Sequence, residues 1–498
     1  MPAIAEAASI LLSPLGLLLV VGGTALGIFV GAIPGLTGTM LIALTLPLTY
    51  GADPLLAMTL LISIYVGAIS GGLISATLLR MPGTPASIIT TLDGYPMAAA
   101  GQPRRALLLG VMASFVGGMI SWGFLVLLAG PIADLSTRFG PFEYFSLVAM
   151  ALVLIASVGG ESLPRSLFAG MLGILLSMPG IAAATGQTRL TFGFAELNDG
   201  FQLLPVLIGM FAINQILRDI LSGDAVPNAI DISNNSGRLT LSDLKTHGVN
   251  MVRSSFIGTF IGMLPGIGAN IGAVTAYSVA RSTSDKPEEF GTGHEPGIIA
   301  GESANNATVG GALIPLISMG LPGSVVEAVL LGALIIHGLQ PGPRLFTDHP
   351  DVVYTIMGAM LLANIVMLFL MMRSLKLLSR LTSIPRSVLY PVIITFCVIG
   401  SYALANRIFD VWVMLAFGVL GFVLESRRIP LAPFVIGFVL GPIAEENLST
   451  GLMSTNGDWS PLVTRPISLI FLCVALLLTA FPFLRRRFRS LPKEETTA

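Results

Sequence analysis

The stretch IGMLPGIGANIG, residues 261–272, decides the fold because it interrupts an apolar run that otherwise has the composition of a membrane helix. Pro265 lacks a backbone N–H and clashes with the preceding helical turn, and Gly266 and Gly268 permit positive φ. A similar break, VGAIPGLTGTM, occupies residues 30–40. The duplication predicts two long apolar helices that are broken in the same way.

The composition of the whole chain is that of a membrane protein. Of its 498 residues, 54% are hydrophobic and 11% are charged, whereas soluble domains carry about 25% charged residues. Windows at 11–33, 106–130 and 352–372 reach the ~20 apolar residues that a membrane-spanning helix needs, and 144–158 and 467–484 are shorter candidates. The sequence therefore predicts an all-α polytopic membrane protein with about 12 transmembrane helices.

Charge and motifs exclude several classes of function. The net charge of −1 gives no general attraction to nucleic acid. Cys397 and Cys473 lie in apolar runs and are interpreted as buried side chains without a disulfide. His294 and His337 have no partner at metal-ligand spacing, and the chain has no HExxH or GxxxxGK[ST] motif. We therefore expect no enzyme activity and no cofactor.

Basic residues predict the orientation in the membrane. The sequence RRRFR at 485–489 follows the last apolar run, and cytoplasmic loops collect Lys and Arg. The C-terminus is therefore predicted to be cytoplasmic and the N-terminus periplasmic. The predicted organisation is a first inverted repeat at 11–217, a cytoplasmic linker at 218–250, a second inverted repeat at 251–443, and an extra helix with a basic tail at 464–498.

Two halves of the chain repeat the same Gly and Pro positions. The four matched pairs, each 231 residues apart, are Gly27 with Gly258, Gly31 with Gly262, Pro34 with Pro265, and Gly35 with Gly266. Further on, RMPGT at 80–84 matches GLPGS at 320–324 at an offset of 240 residues. Basic residues place matched segments on opposite sides of the membrane, so the repeats are predicted to be inverted, as in many secondary transporters.

The breaks themselves predict an anion site. A half-helix that begins at membrane depth has unpaired N–H groups and a partial positive charge, which can hold an anion. The alternative is a plain proline kink without a ligand. The predicted substrate-binding residues are Pro34, Gly35, Thr37, Gly38, Thr39, Gly83, Thr84, Pro265, Gly266, Gly268, Asn270, Pro322, Gly323 and Ser324.

A polar segment before the last break predicts a cation site. GESANNATVGG at 301–311 precedes the break GLPGSVVE at 320–327. The matching break in the first half is MPGTPAS at 81–87. Neutral oxygens suited to Na⁺ are predicted at Ser303, Asn305, Asn306 and Thr308, and carboxylates suited to H⁺ at Glu302 and Glu327. Na⁺ is favoured because neutral oxygens outnumber carboxylates. Ionisable residues in a membrane are costly and therefore functional candidates, although Glu302 could instead cap a helix in an aqueous mouth.

Four motifs resemble one family of transporters. The sequences GLTGT, MPGTPASIITTLDGYPMAAAGQ, GMLPGIGANIGA and GESANNATVGGALIPLISMGLPGS look like the large membrane subunit of the tripartite tricarboxylate transporters, the TctA family. The resemblance runs from about Gly16 to the last helix. It implies a permease of the bacterial inner membrane, surrounded by lipid, which imports organic carboxylates such as citrate on an ion gradient. It also implies two partners, a small membrane subunit and a periplasmic solute-binding protein.

Other readings of the same residues remain open at this point. A stand-alone organic-anion carrier or a channel would also use broken helices, although inverted breaks suit alternating access better than a continuous pore. An intramembrane enzyme would need a nucleophile and a base, and Ser70 has no nearby His in the sequence. Segments 131–141, 185–199, 342–351 and 445–463 are predicted to be outside loops that receive the binding protein.

Overall fold

The computed structural model describes residues 2–158, 162–182, 185–222, 230, 232, 239–265, 268–381, 386–403 and 405–489. Its helices begin with α1 (Pro2–Leu11), α2 (Pro14–Ala32), α3 (Gly38–Thr45), α4 (Pro54–Leu79), α5 (Thr90–Ala99), α6 (Pro103–Ser136), α7 (Pro141–Val158), α8 (Leu163–Ser177), α9 (Leu203–Ile208) and α10 (Asn214–Ser222). They continue with α11 (Leu241–Gly262), α12 (Gly268–Ser282), α13 (Glu295–Met319), α14 (Val325–Ile336), α15 (Pro343–Asp348), α16 (Pro350–Leu381), α17 (Arg386–Ala403), α18 (Ile408–Ser426), α19 (Leu431–Ser454), α20 (Pro461–Thr464) and α21 (Pro466–Arg489). A short antiparallel hairpin, β1 (Gly180–Ile181) and β2 (Thr188–Arg189), lies between α8 and α9 and pairs Gly180 with Arg189 and Ile181 with Thr188.

The apolar composition is carried by helices of membrane-spanning length. Within the described residues, seven helices are long and apolar enough to cross a bilayer, namely Pro14–Ala32, Pro54–Leu79, Pro103–Ser136, Leu203–Leu221, Pro350–Leu375, Ile408–Ser426 and Leu431–Ser454. Shorter apolar helices lie between them, and α7 and α21 are among these. The all-α polytopic class is therefore confirmed, and the total of about 12 crossings stays a prediction.

The described residues form two compact units. The first lies within Met1–Ser136 and Phe201–Arg427, and it contains both pairs of predicted breaks. The second lies within Thr137–Gly200 and Arg428–Ala498, and it is built from α7, α8, α19, α20, α21 and the hairpin. The two units do not divide the chain at the predicted boundaries of the repeats and the linker, so those boundaries stay predictions.

Two expectations about loops and cysteines are wrong. Residues 131–136 continue α6, 343–348 form α15, and 445–454 continue α19, so the predicted outside loops are much shorter. Pro131 does not end α6, because a long helix packed along its length tolerates an internal proline. Cys397 is buried as expected, but Cys473 lies on an exposed face of α21.

Matched glycines bring two helix pairs into backbone contact. A Cβ at Gly27 of α2 would lie 2.3 Å from the carbonyl oxygen of Ile64 in α4. A Cβ at the matched Gly258 of α11 would lie 2.3 Å from the carbonyl oxygen of Ala304 in α13. Small residues at a helix interface permit this close approach in membranes, where dispersion contacts drive association. The repeat seen in the sequence is therefore also a repeat of packing.

Contacts between the matched elements are reciprocal. Helix α3, which follows the first break of the first half, contacts α14, which follows the second break of the second half. Helix α12 in turn contacts the 3₁₀ helix Pro85–Ile88, the counterpart of the start of α14. Helices α4 and α6 of the first half match α13 and α16 of the second half. Helix α6 contacts α13, and α16 contacts α4, so each contact again joins one half to the other. These contacts join the breaks of both halves within the first unit.

Candidate functional site

The first break separates α2 from α3 as the sequence predicts. Helix α2 ends at Ala32 and α3 begins at Gly38, and the hydroxyl of Thr37 caps α3 by accepting a 3.2 Å hydrogen bond from the N–H of Met40. Gly35 has a φ of 91°, a conformation that favours glycine. Pro34, Gly38 and Thr39 are buried beside it. The chain therefore turns inside the protein between two short helical ends.

A carboxylate that the sequence did not predict lies against this break. A Cβ at Gly35 would be 2.8 Å from Oδ2 of Asp219 in α10. The hydroxyl of Tyr390 donates to the same oxygen at 2.8 Å, and Gln215 donates to Oδ1 at 2.9 Å. The first break therefore has a hydrogen-bonded carboxylate of the protein beside it as well as the start of α3. The only sequence signal was one acidic residue at the end of the apolar segment 201–217.

The second break separates α11 from α12. Helix α11 ends at Gly262, Pro265 is buried, and α12 begins at Gly268 with a φ of 69°. Asn270, in the first turn of α12, is exposed. Gly266 lies outside the described residues. This helix start carries the partial positive charge expected of a helix N-terminus.

The second Pro-Gly motif of each half packs against the helix that ends at its first break. A Cβ at Gly83 would lie 2.0 Å from the carbonyl oxygen of Gly31, in the last turn of α2. A Cβ at Gly323 would lie 3.0 Å from the carbonyl oxygen of Gly262, the last residue of α11. A side chain at Gly83 would push its Pro-Gly motif away from the end of α2, and one at Gly323 would push its motif away from the end of α11. The predicted substrate-binding residues are therefore brought together as two groups, one in each half.

The start of α14 links the two breaks of the second half. Thr84 and Pro322 are buried, and Ser324 caps α14 by accepting a 3.2 Å hydrogen bond from the N–H of Val326. A Cβ at Gly268 would lie 3.6 Å from the Cβ of Ser324. Two helix N-termini, those of α12 and α14, thus lie close together. Their combined partial charges favour an anion at this position.

Glu302 is buried in the middle of a helix and fully paired. It lies in the second turn of α13, where Oε1 accepts a hydrogen bond from the hydroxyl of Thr90 and Oε2 accepts one from Ser114 at 3.1 Å. The alternative that Glu302 caps a helix in an aqueous mouth is therefore wrong, because α13 begins seven residues earlier at Glu295. Its carboxylate instead joins α13 to α5 and α6.

Glu327, in the first turn of α14, is also buried, but only one of its oxygens is paired. The hydroxyl of Tyr65 in α4 donates a hydrogen bond to Oε1. Oε2 has no hydrogen-bond partner among the residues that the structure describes. Tyr65 was not predicted from the sequence, because 262 residues separate it from Glu327 and it sits in an apolar helix.

The four neutral residues proposed for Na⁺ do not form a single ligand set. All four lie on the continuous helix α13, whose 3.6-residue period places Ser303 and Asn306 on one side and Asn305 and Thr308 on another. The oxygen of Asn306 accepts a hydrogen bond from Ser70 at 2.6 Å, and Thr308 donates to a carbonyl of its own helix at 2.6 Å. A site that uses all four side chains is therefore excluded by geometry.

The hydroxyl of Ser303 has no hydrogen-bond partner in the described part of the chain, and Asn305 is likewise open to a ligand. Asn305 is buried, and neither its amide nitrogen nor its oxygen has a partner in the described part of the chain. The helical period places it on the same face of α13 as Gly301 and Ala312. Gly301 approaches Ile89 and Ala312 approaches Gly323. Asn305 therefore faces the region between the second breaks of both halves.

Asp93, another acidic residue near the breaks, has a structural role. Its Oδ1 accepts hydrogen bonds from the N–H groups of Gly291, Gly293 and His294 at 2.8, 2.9 and 2.8 Å. Its Oδ2 accepts the hydroxyl of Tyr277 at 2.8 Å. Because four hydrogen bonds hold its carboxylate, Asp93 fixes the loop before α13 in place.

Outside the membrane helices, an ion-pair cluster joins three helix starts of the first unit. Arg105 of α6 bonds to Asp243 of α11 at 2.7 Å and to Glu295 of α13 at 2.6 Å, and His247 lies 3.0 Å from Glu295. The Arg105 guanidinium holds the pKa of Asp243 below its usual range. The cluster fixes the starts of α11 and α13 relative to α6.

The fold and the site together define a polytopic membrane protein whose helices are broken in pairs around buried polar groups. Comparison with known proteins then gives the family. The chain belongs to the tripartite tricarboxylate transporter TctA family, whose model matches residues 17–436. The resemblance seen in the four motifs is thereby confirmed, and the chain is a membrane component of a transporter rather than a member of an enzyme family.

Two relatives from Agrobacterium vitis are similar to the chain. The "uncharacterized 52.8 kDa protein in TAR-I ttuC' 3'region" is 33% identical over 466 residues, covering 93% of this chain and 92% of the relative. The "uncharacterized protein in TAR-II ttuC' 3'region" is 36% identical over 233 residues, covering 46% of this chain and 96% of that relative. No solved structure matches the chain significantly.

Proposed function

We propose that this chain is the large permease subunit of a binding-protein-dependent secondary transporter that imports di- and tricarboxylates on an ion gradient. The observation that carries the proposal is the meeting of the N-termini of α12 and α14, with a Cβ at Gly268 only 3.6 Å from that of Ser324. Helix N-termini at membrane depth bind carboxylates in broken-helix transporters. Family membership supports carboxylates as the substrate class.

The second half is the better candidate for the substrate carboxylate. At the first break one described helix, α3, begins, and the Asp219 carboxylate lies against Gly35. Around Gly268 and Ser324, two helix N-termini meet, and the carboxylate of Glu327 lies one turn beyond Ser324. Substrate is proposed to bind between α12, α14 and the face of α13 that carries Asn305.

A cation must accompany the substrate. Carrying a negative charge inward against a negative interior costs about 2.3 kcal/mol per charge per 100 mV, and a citrate-like anion brings two or three charges. Either Na⁺ or H⁺ could compensate, and no other cofactor is invoked. The proposed partners are a small membrane subunit and a periplasmic solute-binding protein, in the inner membrane of a bacterium.

The inverted arrangement of the halves, with the N-terminus periplasmic and the C-terminus cytoplasmic, is part of the proposal. Reciprocal contacts such as α3 with α14 and α12 with Pro85–Ile88 support a two-fold relation. Gln102 and Arg344 are both exposed, and each follows the second Pro-Gly motif of its half. Single cysteines at these sites, in a background without Cys397 and Cys473, should react with an impermeant reagent from opposite sides; labelling from one side would refute the inversion.

Transport is tested with labelled citrate, succinate and malate in proteoliposomes that contain the whole transporter. Gly268→Val should abolish saturable counterflow, because a branched side chain disfavours the positive φ and crowds the anion site. Gly101→Val is the matched control, since Gly101 also has a positive φ of 88° but no atom within 4 Å of an added Cβ. Normal counterflow in Gly268→Val would show that the break is only a kink, and unsaturable flux in the wild type would indicate a channel.

A further inference from the structure

Glu327 differs from the other buried acids near the breaks in what its oxygens contact. Asp93 and Glu302 use both carboxylate oxygens in hydrogen bonds. Glu327 accepts the Tyr65 hydroxyl on Oε1, whereas Oε2 is buried without a partner among the described residues. An unpaired carboxylate oxygen away from water is far costlier than a neutral carboxyl group. This side chain therefore needs a cation or a proton that the paired acids do not need.

Helix capping accounts for only part of the surroundings of Glu327, whose carboxylate lies beside the N-cap residue Ser324. Ser324 and Glu327 have the Ser-x-x-Glu spacing of a capping box. The hydroxyl of Ser324 caps the N–H of Val326, as that motif requires. The carboxylate of Glu327, however, turns to Tyr65 on another helix and leaves Oε2 in the interior. The residue is thus placed for more than the stability of α14.

No positive side chain neutralises Glu327 from the helices that contact α14. The start of α12 adjoins α14, but its titratable residues Tyr277 and Arg281 lie nine or more residues along that helix. The other described helices that pack against α14 are α3, α4, α9 and α13, and none of these four contains Lys or Arg. Their titratable residues are Tyr65 on α4 and Glu295 and Glu302 on α13, and Glu302 is paired with Thr90 and Ser114. His337, at the end of α14 itself, lies 3.1 Å from the hydroxyl of Thr49.

We propose that Glu327 carries the coupling proton of this transporter, with the proton on Oε2 and Tyr65 holding Oε1. The proposal rests on the proposed function, because it names the ion that accompanies the carboxylate. Glu327 lies one turn beyond Ser324, which adjoins the start of α12. A charged Glu327 would repel a substrate carboxylate at that helix start, and a protonated one would not. Proton and substrate therefore bind cooperatively, and release of one on the inner side favours release of the other.

The protonation state can be measured without any substrate. In infrared difference spectra of the purified protein between neutral and alkaline pH, a carboxylic acid C=O band should be lost on deprotonation. The band should be absent in Glu327→Gln and retained in Glu302→Gln. Tyr65→Phe should move the band to higher frequency, because its carbonyl oxygen loses a hydrogen bond, while Tyr277→Phe should leave it in place. An unchanged band in Glu327→Gln would overturn the proposal, as would a band that moves equally in both tyrosine variants.

Transport supplies the second arm of the test. With labelled citrate and the complete transporter in proteoliposomes, an imposed pH gradient, alkaline inside, should drive accumulation at least tenfold in the wild type. Glu327→Gln should lose this accumulation and keep citrate counterflow, since a permanently neutral side chain still permits exchange. Accumulation that needs Na⁺ and ignores the pH gradient would overturn the proton assignment. If the wild type carries no carboxylate, the proposed function fails, and the infrared arm still decides the state of Glu327.

Discussion

Gly27 and Gly22 occupy the same helix, α2, in opposite surroundings, and alanine should therefore have opposite effects at the two positions. An added Cβ at Gly27 would lie 2.3 Å from the carbonyl oxygen of Ile64 and 2.7 Å from the backbone nitrogen of Ala68. At Gly22 no atom lies within 4 Å of the added Cβ. Both clashing atoms at Gly27 belong to the backbone of α4, so no side-chain rotation relieves them.

The size of the effect follows from these distances. To restore an ordinary contact of at least 3.4 Å, α2 must withdraw about 1 Å from α4 at Gly27. Overpacking of this kind costs about 1–3 kcal/mol, against which the better helix propensity of alanine regains up to ~1 kcal/mol. Gly27→Ala should therefore lower the free energy of unfolding by about 1–2 kcal/mol. Gly22→Ala should leave it unchanged or raise it by up to ~1 kcal/mol.

Thermal unfolding in detergent can be followed through Cys397, which is buried and becomes reactive to a fluorogenic thiol reagent when the helices separate. The measurement uses a Cys473→Ser background, because Cys473 is exposed. Gly27→Ala should melt at a lower temperature than Gly22→Ala, and Gly258→Ala, in the matched helix pair, should melt low as well. Equal melting temperatures for the Gly27 and Gly22 variants would refute the argument from backbone contact.

Three further predictions follow from side-chain contacts. Asp93→Asn should lower the free energy of unfolding by about 1.5–3 kcal/mol, because a charged acceptor of four hydrogen bonds is lost; an unchanged melting curve would mean that the loop before α13 is held by other contacts. Arg189 joins the hairpin to Glu445 through an ion pair with two hydrogen bonds. Arg189→Gln should therefore loosen the hairpin and raise the rate of backbone hydrogen exchange at 185–200. An exchange rate equal to that of the wild type would count against this role. Because Glu445 is already paired, charge reversal at Glu446 is the cleaner probe of binding-protein docking. The reversal should raise the concentration of loaded binding protein needed for half-maximal uptake. An unchanged concentration would indicate that the binding protein docks elsewhere.

The breaks could be predicted from the sequence because their cause is local. Proline and glycine act on the backbone within one helical turn, and the structure ends α2 and α11 and begins α3 and α12 at the expected residues. The positive φ of Gly35 and Gly268 follows from the same chemistry. The repeat could be found for a similar reason, since matched glycines mark helix contacts that recur in the fold.

The partners of the buried acids could not be predicted, because they come from distant parts of the chain. Tyr65 and Glu327 are 262 positions apart, and Asp219 reaches Gly35 from α10. The Na⁺ ligand set was wrong for a different reason. Polar residues that are neighbours in sequence were interpreted as neighbours in space, whereas one continuous helix places Ser303 and Asn306 on one side and Asn305 and Thr308 on another.

The exchange of contacts between α3 and α14, and between α12 and Pro85–Ile88, bears on the ancestry of the chain. Each half packs a helix end against the other half, so a polypeptide with a single half would leave these contacts unmade. A pair of identical subunits would restore them. Gene fusion would then have released each copy from the demands of symmetry, and the presence of Asp219 beside one break and Glu327 near the other shows how far the two have since specialised.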